Sequence, residues 1–187
     1  MRSRLFIQYM KNSKDIALIA MMVAIIETCK MAMSFLPNIE LTSFFVIMFT
    51  LYWGWRIIYV IPVFILIEGA VWGIGPWWIM YLYAWPLLAL ITWFLRKKDD
   101  VFTWACVSGV FGLLFGAMCS LVYLVAGGPY AAFTWWIAGI PWDFTHAVGN
   151  FVLMMILYKP VKNVMMKTRN MIWLLLIRKK VVQQDVL

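Results

Sequence analysis

Charge is what this chain has least of. Asp, Glu, Lys and Arg make up 13% of its 187 residues, where an ordinary soluble domain carries about 25%, and a water-soluble globular domain is thereby excluded. The single histidine rules out a histidine-rich metal centre, and no His-Glu-x-x-His occurs. The three cysteines, Cys29, Cys106 and Cys119, all fall inside apolar runs, which leaves neither a disulfide framework nor a Cys-x-x-Cys metal knuckle and predicts buried thiols. No Gly-x-Ser-x-Gly, no Walker motif and no pair of carboxylates on a soluble surface is present. An enzyme is not expected, nor ATP hydrolysis by the chain itself. The net charge of +8 does not indicate nucleic acid either, because the basic residues sit between apolar runs rather than on a solvated face interleaved with aromatics.

What is abundant is apolar surface. Hydrophobic residues make up 65% of the chain and the mean hydropathy is +0.88, values of a protein whose solvent is lipid. A helix needs roughly 20 apolar residues to cross the hydrocarbon, and the punctuation by Pro, Gly and charge divides the chain into six candidate spans: residues 15–35, 41–53, 57–72, 77–95, 101–126 and 141–158. The second and third are short and meet at Gly54-Trp55-Arg56, the weakest boundary. The basic start, with Arg2, Arg4, Lys11 and Lys14 ahead of an apolar run, is similar to a signal peptide, but no small-residue cleavage site follows, so a retained first helix is expected. No internal repeat or low-complexity segment is apparent.

Fifteen of the sixteen Lys and Arg residues fall on one side of these spans: the N-terminus, Arg56, the clip at Arg96, Lys97 and Lys98, and the seven from Lys159 onward. An even number of spans with basic loops inside places both termini in the cytoplasm. The expected architecture is an all-α integral membrane protein of a prokaryotic plasma membrane, with a six-helix domain over residues 1–159 and a basic cytoplasmic tail over 160–187. In the tail, residues 171–177 are too short to cross and suit an interfacial helix. The opposite connections contain no Lys or Arg and are dense in Trp, Tyr, Gly and Pro. The last of them, residues 127–140, reads as a loop of about fourteen residues, a length typical of lids and binding loops.

Some polar residues lie where lipid is expected. A charge at the bilayer centre costs roughly 2.5–3.5 kcal/mol on insertion scales, so Glu27, Lys30, Glu68, Asp143 and His146 are candidates for function. Glu27 and Lys30, three apart, can neutralise each other on one helix face. Glu68 has no local partner. Asp143, His146 and Asn150 follow i, i+3, i+7 and form one polar stripe. Small residues form two more: Ser108, Gly112, Gly116 and Ser120 suit close helix packing, and Ala20 with Ala24 suit either packing or a partner protein.

The Ala20-x-x-x-Ala24 spacing, the segment "LPNIELTSFFVIMF", the aromatic outer connections and the block "GGPYAAFTWWIAGIPWDFTHAVGNFVL" together resemble the substrate-binding S component of energy-coupling factor (ECF) vitamin transporters, over roughly residues 15–159. The resemblance implies a subunit that captures a vitamin from outside and delivers it inward by toppling against a membrane scaffold (T) subunit and two ATPase subunits, with no cofactor of its own, ATP being used by the partners. It implies that Ala20 and Ala24 meet the scaffold, and that Asn38, Trp77, Trp78, Tyr81, Tyr123, Trp135, Trp136, Asp143 and His146 lie near the pocket. Twelve tryptophans and the wide last loop suit a large, partly flat ligand. Cobalamin is the favoured vitamin, with His146 or Cys29 able to approach cobalt; pyridoxine, a thiamine precursor, riboflavin or pantothenate are the alternatives. Two readings outside the family compete. One is a structural membrane protein whose tryptophans form only an interface belt, and the other an intramembrane enzyme using Glu68, Asp143 and His146.

Overall fold

A computed structural model describes residues 13–184 as helices joined by short connections, without a strand among them. The basic residues Arg2, Arg4 and Lys11 lie outside the described residues. The helices are α1 (Ser13–Ala32), α2 (Thr42–Trp53), α3 (Ile57–Trp72), α4 (Pro76–Leu95), α5 (Val101–Leu113) and α6 (Phe115–Gln184). Three stretches, Thr42–Trp72, Pro76–Leu95 and Val101–Ile172, are long and apolar enough to cross a membrane.

Local chemistry accounts for the boundaries. α2 ends at Gly54, whose φ of 60° lies in the left-handed region that glycine enters without steric penalty, and a single 3-10 turn, Gly54–Arg56, reverses the chain into α3. The weakest boundary in the sequence is thus a real hairpin. α4 begins with Pro76 in its first turn, where a missing N–H costs nothing. Asp100 caps α5, its carboxylate accepting from the N–H groups of Phe102 (3.2 Å) and Thr103 (2.8 Å). α6 is broken at Gly128 (φ 78°, ψ −177°) into α6a, residues 115–127, and α6b, residues 129–184. α6b runs on the order of 80 Å at 1.5 Å per residue, continuing through Pro160 to Gln184, so residues 171–177 belong to this helix and not to a separate interfacial one.

The break at Gly128 corrects the expected long loop. Residues 129–140 are helical, because Pro129 presets φ at the first helical position and the residues after it are Ala, Trp, Ile and Phe, with Thr134 Oγ1 donating back to Tyr130 O at 2.9 Å. Gly and Pro here start a helix after one turn residue.

Two ion pairs fix the direction of the rods. Asp15 at the start of α1 meets Arg56 at the start of α3, and Lys30 at the end of α1 meets Glu68 at the end of α3, so α1 and α3 run parallel and pack on one another, with α2 running in the opposite direction. At the base of the bundle, Asp99 receives Tyr158 (3.0 Å) and Lys162 (2.5 and 2.6 Å) from α6b. α5 with α6a packs antiparallel to α6b along the stripe of small residues. A Cβ on Gly112 would fall 3.0 Å from Ala147 N, and one on Gly116 would strike the Asp143 carboxylate.

The centre of the bundle is α2, buried at Thr42, Ser43, Phe44, Val46, Ile47, Met48, Phe49, Thr50 and Trp53, with Trp85 and Trp104 filling the space beside it. The outside is apolar too: Phe94, Ile58 and Leu66 are exposed and Val125 is 90% exposed. An unbroken apolar exterior around a well-packed interior is what lipid requires.

Candidate functional site

At the end opposite the Asp15–Arg56 pair, the connection of residues 33–41 folds over a cavity of about 290 Å³. Lys30 of α1, Trp72 at the end of α3, Tyr81 of α4, Phe115 of α6a and His146 of α6b line it from below, and Asn38 and Glu40 from the connection. Asn38 holds φ at 57°, a left-handed conformation Asn tolerates better than most residues. Glu40 is anchored through Oε2, which accepts from Thr42 Oγ1 at 3.2 Å.

The walls are aromatic and the polar groups few. Tyr81 is packed against Phe64, Trp77, Trp85 and Phe115, with ring centroids 5.2–6.3 Å apart, and its hydroxyl accepts from Lys30 Nζ at 3.2 Å. Lys30 Nζ also donates to Glu68 Oε2. His146 is 3% exposed, its ring 4.8 Å from that of Phe115. Its Nε2 has no hydrogen-bond partner among the described residues and lies 3.8 Å from Glu40 Oε1, beyond hydrogen-bond reach.

Other expected site residues lie elsewhere. Trp78 donates through Nε1 to Ile65 O at 2.8 Å and covers Gly69, a bond that ties α3 to α4. Trp77 stands behind Tyr81, edge to face at 5.2 Å. Tyr123 and Trp135 stack on one another at 4.1 Å and 17° across the Gly128 turn, and Trp135 and Trp136 are exposed, away from the cavity lining. Asp143 is buried, and its Oδ1 accepts from Gly116 N at 2.8 Å. It supplies an acceptor to an orphan N–H of the first turn of α6a, a cap donated by a neighbouring helix. Asn150 binds Ser43 Oγ and Ser108 O, both at 3.2 Å. Of the polar stripe, then, Asp143 and Asn150 hold helices together and His146 alone lines the cavity. Cys29 does not line it.

Two expectations about charge are corrected. Lys30 pairs across the bundle with Glu68 instead of with Glu27 on its own helix, and Glu68 is therefore partnered. Arg56 is fully buried, its Nε donating to Asp15 Oδ1 at 2.9 Å and Nη1 to Trp53 O at 3.2 Å; it belongs to the core rather than to a basic turn. Ala20 and Ala24 are exposed on one face of α1. The lining residues Glu40, Trp72 and Phe115 escaped the sequence reading. Glu40 was the legible one, a carboxylate in the middle of "PNIEL".

No group of three or more His, Cys, Asp or Glu side chains suited to a metal occurs among the described residues. The cavity offers aromatic surface for contact and a few convergent polar atoms for orientation. Compared with known protein families, curated proteins and solved structures, the chain matches none.

Proposed function

We propose that this chain is a membrane-embedded vitamin-binding subunit of the ECF S-component kind, which captures its substrate in the cavity beneath residues 33–41 and hands it inward with the help of a scaffold subunit and two ATPase subunits. The observation that carries the reading is that cavity. It is bordered by a short connection and lined by Tyr81, Phe115, Glu40 and His146, at the end of the bundle away from the basic residues of the clip and tail. The alternating direction of the helical rods and the grouping of those basic residues at the base support six crossings with both termini in the cytoplasm. The exposed Ala20 and Ala24 offer a flat face for close approach of a scaffold helix.

The volume bears on the vitamin. Pockets for drug-sized ligands span ~300–1,000 Å³, and a cavity of about 290 Å³ suits one small substituted ring. A pyridoxine-sized compound or a thiamine precursor therefore replaces cobalamin as the favoured substrate. Titrating the detergent-purified chain with a vitamin panel that includes cobalamin, read by intrinsic tryptophan fluorescence with absorbance correction, tests this. Saturable quenching at nanomolar concentration by a small-ring vitamin is expected; quenching by cobalamin would overturn the size argument, and none by any compound would favour a structural role. Ala20→Trp should abolish uptake into cells that carry the partner subunits and leave binding unchanged. Equal loss of both would remove α1 as the partner face.

A further inference from the structure

The charges that line the cavity are unequally engaged, and they specify the kind of ring it takes. Its lining carries one carboxylate, Glu40, and one ammonium, Lys30. Lys30 is already engaged, donating to Glu68 Oε2 and to the Tyr81 hydroxyl. Glu40 has no lysine or arginine partner among the described residues; its nearest basic atom is His146 Nε2 at 3.8 Å. That imidazole is 3% exposed and lines the cavity with Nε2 unpartnered, an arrangement that leaves a buried polar atom unsatisfied unless something in the cavity meets it. Tyr81, Phe115 and Trp72 add π faces, which attract cations. A carboxylate-bearing ligand would instead face Glu40 with like charge.

Building on the reading of this cavity as the substrate site, we infer that the ligand is a compact nitrogen heterocycle carrying a cationic or N–H-rich substituent, which donates to Glu40 Oε1 while a second polar atom of the ring meets His146 Nε2. Anionic vitamins are selected against by the same carboxylate.

Matched pairs of probes test the inference on the unaltered protein. Pyridoxamine against pyridoxine, and 4-amino-5-aminomethyl-2-methylpyrimidine against its 5-hydroxymethyl counterpart, differ only in an ammonium for a hydroxyl; pantothenate, biotin and riboflavin serve as anionic and neutral references. Isothermal titration of the detergent-purified full chain should give the aminated member of at least one pair an affinity about ten-fold or more above its partner, the size of one charge-assisted hydrogen bond. Glu40→Gln, which keeps the Thr42 contact, should erase most of that difference, and Glu40→Asp should keep its sign. Tightest binding of a reference compound or of a hydroxylated member would overturn the inference while leaving a vitamin-binding subunit standing. Binding of none of the seven would overturn both, and an unaltered preference in Glu40→Gln would remove Glu40 from the account.

Discussion

The two ion pairs that tie α1 to α3 differ in what surrounds them. At the base, Arg56 is fully buried and spends its donors on Asp15 and on Trp53 O, with the Trp55 ring 5.2 Å from its guanidinium. At the other end, Lys30 is half-buried and borders the cavity, and Glu68 Oε1 and Glu27 Oε1 are buried without a hydrogen-bond partner. The same chemistry acts as a clamp where the cation is shut into the core and as part of a site where it borders a cavity; buried polar atoms without a hydrogen-bond partner occur at both ends, Asp15 Oδ2 and Trp55 Nε1 at the base among them. A buried pair is weak evidence of stability in itself, but removing one partner leaves an uncompensated charge.

Substitutions at the two ends should separate these roles. The largest effect is expected from Arg56→Met, which strands the Asp15 carboxylate inside the bundle: a loss of about 3–5 kcal/mol, seen as a lowered thermal midpoint in detergent, with ligand affinity retained in the protein that stays folded. Lys30→Met should cost less, about 1–3 kcal/mol, because the Lys30 side chain is partly exposed where that of Arg56 is not, yet it should change ligand affinity where Arg56→Met does not, since Lys30 lines the cavity. Equal behaviour of the two variants would erase the distinction between clamp and site.

The smallest effect belongs to the clip at the base. Lys162 holds the Asp99 carboxyl below the usual carboxylate range, assisted by Tyr158, and the Thr103 N–H and side chain hold Asp100 below it as well. A depressed folded-state pKa contributes stability that is present above the ordinary carboxylate value of about 3.9 and is lost as pH falls through the folded value. Because the Asp99 side chain is 68% exposed, its share is about 0.2–1 kcal/mol and fades with salt. The fall in melting temperature below pH 4 should therefore be shallower in Asp99→Asn, and the difference should vanish at high salt.

How much was legible in the sequence follows from the range of each interaction. Helix ends set by their own residues were readable: Gly54, Pro76 and Asp100 act within one turn. The i, i+3, i+7 stripe also appears in the fold, with Asp143, His146 and Asn150 all buried on α6b. Contacts set by tertiary packing were not readable. The three-residue spacing of Glu27 and Lys30 suggested a local pair, but α3 runs parallel to α1 and brings Glu68 to the same lysine. Asp143 is a carboxylate in a span, and the contact its Oδ1 makes with Gly116 N at the broken start of α6a becomes visible only once α6b lies beside it. Pro129 was ambiguous in principle, since the same residue ends one helix and begins another. The tryptophans Trp135 and Trp136, which a long loop would place on a lid, stand on the outside of a helix.

The central claim is that the cavity under residues 33–41, and not the tryptophan-rich surface of α6b, receives the ligand. Trp72 lines the cavity, whereas Trp135 and Trp136 lie outside it. The most direct measurement is ligand-induced fluorescence quenching in Trp72→Phe compared with the double variant Trp135→Phe, Trp136→Phe. The account predicts that most of the quenching disappears with Trp72 and persists in the double variant. Quenching that survives the loss of Trp72 and vanishes with the other two would place the ligand on α6b and contradict it.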